Sequence, residues 1–422
     1  MKKIRKIFSV VLVFALMASM LSVSAFAAEE KGTDYPYVFV HGMGGWGPDS
    51  DFYELSPYWG GGLGIGSGTD LIKILNENGI KAYAPSVGPL SSAWDRACEL
   101  YAQLTGTVVD YGEAHSTAHG HDRYGFSYEG KATMGEPWNL KDKINLVGHS
   151  FGGETVRLLT SLLYYGCEEE IAVSGKNTSE LFTGGHDCVH SCITLSSPHN
   201  GSQVANQLVD PQFTMYLMSA VMNIIGCIMG DEFLVFSFQL GHFGLTPKQD
   251  EARASLSLSG IKAYAQGDNC GYDMTLRGAA ELNAKIKLAP NTYYYSYTTA
   301  ATKESLFGLQ LPIKTLNPIF YISSAMLGVT AGSTVDGVKI EGDWAVNDGI
   351  VPLASALYPL CDAATARDYE DAVTAGETIE PGRWYYLDTM YGTDHFDFCG
   401  TKDYPTTFED FYFGMIETAN SR

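Results

Sequence analysis

A chain of 422 residues with 27 Lys and Arg against 48 Asp and Glu carries a formal charge of −21 and is repelled by nucleic-acid phosphates and anionic membranes, so neither is an expected partner. Apolar residues make up 45% of it, enough for a large core. No internal repeat, coiled-coil heptad or Pro-rich linker divides it, so one domain with insertions is expected over residues 29–422.

The first segment places Lys2, Lys3, Arg5 and Lys6 ahead of an apolar run from Ile7 to Leu21 and small residues around Ala25-Phe26-Ala27, which is the pattern of a secretory signal peptide over residues 1–28. The apolar part is short for a membrane span of ~20 residues, so export without a stable membrane anchor is expected. Cleavage would move the net charge from −21 to −25. Export permits disulfides, but Cys98, Cys167, Cys188, Cys192, Cys227, Cys270, Cys361 and Cys399 are too scattered to dictate a pairing. Cys188 and Cys192 lack the second ligand pair of a zinc knuckle.

In chain order, Tyr37–Val40 is a short apolar run stopping at His41-Gly42 and reads as a buried strand. Helices are predicted over Asp70–Asn78 before Gly79 and over Ser92–Leu104 before Gly106. Ile144–Val147 is a second buried strand, followed by a helix over Glu154–Tyr165 that stops at Gly166. Phe213–Met229 is helical in pattern but has almost no charged face; it reads either as a buried helix or as a lid over an apolar cleft. A helix over Ala279–Leu288 before Pro290 and a strand over Thr292–Thr298 complete the series. This alternation favours an α/β fold, a mostly parallel sheet with helices on both faces.

Gly148-His149-Ser150-Phe151-Gly152 stands between the second strand and its helix and fits the nucleophile elbow of an α/β-hydrolase, a strained turn that lifts one serine hydroxyl clear of the sheet. A serine hydroxyl needs a histidine to accept its proton and a carboxylate to fix that histidine's tautomer, in the chain order acid then histidine. Asp348, before Ile350-Val351, and His395, the only histidine after His242, fill those places. Asp343, Asp388 and Asp394 compete as acids and read as solvated loop residues. The oxyanion needs two backbone amides, one after the nucleophile and one after an early strand; Phe151 and Met43 would supply them.

His41-Gly42-Met43-Gly44-Gly45-Trp46-Gly47, Tyr58-Trp59-Gly60-Gly61, Val87–Ser92, Trp94–Glu99, Val109–Gly112, Pro290–Tyr294 and Asn347-Asp348-Gly349 resemble the thermostable lipases of thermophilic bacilli and the related staphylococcal lipases, over almost the whole mature chain. The resemblance implies a triacylglycerol lipase or carboxylesterase with a zinc-binding insertion at about 90–130, a helical lid at about 201–245, and a calcium site near the catalytic histidine. The family's zinc ligands map onto Asp95, His115, His121 and Asp268. On chemistry alone, two imidazoles in a Gly- and His-rich loop suit tetrahedral Zn²⁺, although with His119 in the same stretch a polar surface loop reads as well. Four protein ligands leave no open position for water, so zinc would be structural. For Ca²⁺ the mapping reaches Asp397, and Asp403 after one inserted residue.

Two departures stand out: Met43 replaces an aromatic, and Phe151 a glutamine, but the backbone amides survive both changes. The expected reaction is acyl transfer from apolar esters, whether acylglycerols, short acyl esters or a polyester surface. A non-catalytic zinc-stabilised binding module and an exported peptidase are the rival readings.

Overall fold

The structure is a computed structural model and describes residues 33–422 apart from 49, 51–52, 55, 62–67, 208–210, 229–237 and 402–406. The expected signal peptide at residues 1–28 therefore lies outside the described residues. Two compact units divide the chain: Tyr35–Phe411, and a smaller one from the termini that includes Tyr412–Arg422. In the smaller unit the Thr33 amide donates to the Asn420 carbonyl at 2.8 Å.

The larger unit is built on strands β1 (Tyr37–Val40), β2 (Ala82–Tyr83), β3 (Val108–Asp110), β4 (Tyr124–Ser127), β5 (Ile144–His149), β6 (Val189–Leu195), β7 (Tyr293–Tyr297), β8 (Arg367–Asp368) and β9 (Trp384–Tyr386). Seven form the main sheet in the order β8-β9-β7-β6-β5-β1-β2, every pair parallel. β3 and β4 pair antiparallel outside it. Strands buried on both faces need apolar residues throughout, and β1 and β5 are buried along their whole length. β6 is buried too, yet its polar His190, Ser191 and Thr194 hide it from a search for apolar runs. Ser191 is admitted to the core because its hydroxyl donates to Asn145 Oδ1 on β5 at 2.7 Å.

Of the helices, α1 (Leu71–Glu77) is capped by the Asp70 carboxylate and α2 (Ala93–Thr105) by the Ser92 hydroxyl, with Gly106 closing α2 in the left-handed region at φ 63°. α3 (Glu113–His119), α4 (Gly152–Tyr165), α5 (Pro211–Ile228) and α6 (Leu276–Lys285) follow. The expected helix at Ala279–Leu288 thus begins three residues earlier. The Thr275 hydroxyl accepts from Gly278 N–H and nucleates the helix there, and Ile286 is already extended. The expected mostly parallel sheet, flanked by helices in the manner of an α/β-hydrolase, is the observed fold.

Register brings the chemistry to one edge. Val40 pairs with Gly148, His149 with Leu195, and Leu195 with Tyr297, so the turns after β1, β5, β6 and β7 gather at the carboxyl ends of the strands, where parallel sheets bind ligands.

Candidate active site

Ser150 sits at φ 53°, in the left-handed region that non-glycine residues occupy only under constraint. A Cβ added at Gly148 would lie 2.4 Å from Gly152, and one added at Gly152 would lie 2.2 Å from the Val40 carbonyl. Both glycines are therefore imposed by β1 and by each other, which is why this spacing specifies the turn. Phe151 follows at the N-terminal boundary of α4, with its ring fully buried.

Asp348 and His395 are buried and meet directly. His395 Nδ1 donates to Asp348 Oδ2 at 2.8 Å, which fixes the tautomer that leaves Nε2 as the acceptor. The carboxylate is held from every side: Oδ1 accepts from the amides of Ile350 and Val351 at 3.1 and 2.8 Å, and Oδ2 also accepts from the Thr299 hydroxyl at 3.2 Å. The His395 amide donates to the Asp348 carbonyl at 3.0 Å. Ser150, His395 and Met43 line one cavity of about 170 Å³, whose walls are mostly apolar and include Met215, Met218, Met274 and Phe396.

Met43 N–H is aimed by the bonds on the other side of its peptide. The Gly42 carbonyl accepts from His41 Nδ1 at 2.8 Å and from Arg96 at 3.4 Å. Because a trans peptide points N–H opposite to C=O, this turns the Met43 amide away from Arg96. Arg96 is fully buried on α2, also donates to the carbonyls of His41 and Gly88, and is lowered by burial only to about 10, so it stays charged at neutral pH.

With this geometry in view, the comparison with known proteins decides the family. The model of the lipase-like C-terminal domain matches residues 33–419. The chain belongs to that family. A lipase of Staphylococcus epidermidis is 33% identical over 405 residues, covering 93% of this chain and 54% of the relative, so the chain spans about half the length of the curated relatives it matches. Among solved structures, EstA from Clostridium botulinum superposes with a TM-score of 0.76 at 34% identity, covering 94% of this chain and 90% of the other. Staphylococcus hyicus lipase gives 0.75 at 30%, covering 94% and 100%. The expected likeness to staphylococcal lipases is thereby borne out.

The lipase-like chain brings together a second set of predicted residues. One ligand atom each from Asp95, His115, His121 and Asp268 lies within 4.8 Å of the others. Asp95 Oδ1, Asp268 Oδ1 and His121 Nε2 are buried without a hydrogen-bond partner. Orphaned acceptors on two buried carboxylates beside two imidazoles fit a tetrahedral divalent cation such as Zn²⁺. Burial alone would lower the His115 imidazolium, but Asp268 and Asp95 outweigh it and push it up to about 10.

Sequence reasoning missed the groups that hold this cluster in place. Trp94 stacks on His115 with ring centroids 5.0 Å apart, His242 reaches Asp95 Oδ2 at 3.0 Å, and Glu170 accepts from the amides of Ala114 and His115 at 3.0 and 2.8 Å. His242 and Glu170 come from distant segments and carry no local signal.

Three expectations need correction or limit. Asp394 is not solvated: it is buried, and its carboxylate caps the turn His395–Cys399 and accepts from the Asn317 amide at 2.9 Å. Asp397 is buried and uses one oxygen on the Asp394 amide at 2.7 Å and the other on the Thr401 hydroxyl at 2.6 Å, while Asp403 lies outside the described residues. Both Asp397 oxygens are therefore engaged within the chain, and no chemistry is assigned to Ca²⁺. All eight cysteines are free thiols. Among the described residues no helix is long and apolar enough to cross a membrane.

Proposed function

We propose that the chain is an exported serine ester hydrolase acting on apolar acyl esters. The observation that supports this best is the buried Asp348–His395 pair, whose imidazole shares an apolar cavity with Ser150 on its strained turn. Ser150 Oγ attacks the ester carbonyl while His395 Nε2 takes its proton; Asp348 stabilises the imidazolium; the Met43 and Phe151 amides receive the oxyanion. The imidazolium then protonates the leaving alcohol. In the second half, His395 deprotonates a water that attacks the acyl-enzyme, and the acid product leaves Ser150 free.

The methionine-lined wall is adaptable, so acyl chains of several lengths should fit better than a polar or charged acyl group. Zn²⁺ held by Asp95, His115, His121 and Asp268 would brace the insertion carrying α2 and α3, and takes no part in the cleavage. The test is hydrolysis of p-nitrophenyl esters from acetate to palmitate. Wild type should turn over and Ser150→Ala should not; equal rates in the two proteins would reject the reading.

A further inference from the structure

A chain of buried hydrogen bonds joins the loop after β1 to the loop of His395. The Gly42 amide donates to the Tyr58 oxygen at 2.9 Å, Tyr58 meets His149 Nδ1 at 2.6 Å, and His149 Nε2 meets the His395 carbonyl at 3.0 Å. Chemistry fixes every direction. A carbonyl only accepts, so His149 Nε2 must carry the proton and Nδ1 of the neutral ring must accept. The Tyr58 hydroxyl then donates to Nδ1 and keeps its lone pairs for Gly42.

We propose that Tyr58 and His149 are positioning residues that hold the oxyanion loop and the catalytic imidazole in a single mutual geometry. This rests on the serine-hydrolase reading above. His149 is next to Ser150 in sequence, and its ring centroid is 4.8 Å from that of His395. It sits where a second imidazolium would oppose the charge that His395 must acquire. Burial, then the neighbouring His395, holds His149 well below the ordinary histidine range, so the strut stays neutral. The Cys399 thiol stands 3.7 Å from the same Nδ1, farther than Tyr58 and a weaker donor.

The brace is redundant on the other side of His395. Its amide is held by the Asp348 carbonyl and its ring by the Asp348 carboxylate, so only the carbonyl depends on His149. The same segment supports the turn beyond, where the Gly60 amide donates to the Cys399 carbonyl at 3.1 Å. Losing the Tyr58 hydroxyl would strand Gly42 N–H and remove the nearer donor to His149 Nδ1, leaving the ring held only through the His395 carbonyl and the more distant Cys399 thiol.

The experiment compares Tyr58→Phe, His149→Phe and His149→Gln with wild type. A fluorophosphonate counts the reactive sites, and p-nitrophenyl butyrate gives kcat per counted site and KM. A Gln amide can still donate to the His395 carbonyl; a Phe ring cannot. Expected are losses of about 10- to 100-fold in kcat for both Phe variants, KM within about twofold of wild type, and substantial recovery in His149→Gln. Unchanged kcat per counted site in the Phe variants, or a fall only in the number of counted sites, would overturn the positioning role. So would equal loss in His149→Gln and His149→Phe. A wild type that the fluorophosphonate does not label would instead reject the hydrolase reading itself.

Discussion

Two buried polar clusters in this protein are built on opposite principles. Around Asp348 and His395 the carboxylate alone takes four hydrogen bonds from the chain. Around Asp95 and Asp268, carboxylate oxygens face imidazole nitrogens and some find no hydrogen-bond partner. The first cluster can be preorganised for chemistry with its own atoms; the second sets buried carboxylate oxygens beside imidazoles, an arrangement that suits a bound cation. Trp94, Asp95 and Arg96 lie between them on one turn of α2, serving the imidazole stack, the carboxylate cluster and the oxyanion loop in succession.

The most severe way to break the comparison is to remove a self-sufficient group. Ser150→Ala should cut kcat by about 10⁶-fold, and Asp348→Asn by about 10⁴-fold, because an amide at that position favours the wrong His395 tautomer. Retention of near wild-type turnover by Asp348→Asn would show that Asp348 does not orient the base. Neither change should alter metal content, which elemental analysis would read.

The converse perturbation strikes the other cluster. A strong chelator, or Asp268→Asn, should remove bound zinc and lower Tm by several degrees, since a ligand present at 1,000-fold over its Kd stabilises by about 4 kcal/mol. Turnover below the new transition should persist after brief chelation. Unchanged melting in a protein shown to have been metal-loaded would end the structural role.

A buried carboxylate outside both clusters sharpens the contrast. Both oxygens of Glu154 lack a hydrogen-bond partner, and burial pushes its carboxyl up to about 7 against the opposing pull of Arg157. Its 3.8 Å approach to His199 is not an ion pair below that pH, because burial keeps His199 neutral. The native state binds this proton more tightly than the unfolded chain, so the stability it confers is full below pH ~4.5 and is lost as pH rises through 7. Glu154→Gln should therefore melt like wild type at pH 4 and be more stable at pH 8, by at most about 3 kcal/mol. Parallel melting profiles of the two proteins across that range would contradict the assignment.

The smallest effect concerns Asp397. Asp397→Ala removes the reciprocal cap of the His395 turn and should cost about 1 kcal/mol, equally in EGTA and in calcium. A loss seen only with calcium present would revive a cation site there.

Sequence alone carried the elements whose reasons are local. The buried runs at Tyr37–Val40 and Ile144–Val147, the glycines on either side of Ser150, and the helices starting beside Asp70 and Ser92 are all consequences of neighbours along the chain. It also supplied the order Ser150, Asp348, His395, because chemistry demands those residue types in some order and few histidines were available. What it could not supply is anything that depends on distant segments meeting. β6 hides behind polar residues that only Asn145 makes tolerable, and Asp394 looks solvated until Asn317 is seen against it. Tyr58, Arg96, Glu170 and His242 acquire these roles through partners 16 to 147 positions away, such as Gly42, the α3 amides and Asp95. Periodicity and capping act over a few residues, whereas a buried polar group is explained only by the atom that satisfies it, and the fold decides which atom that is.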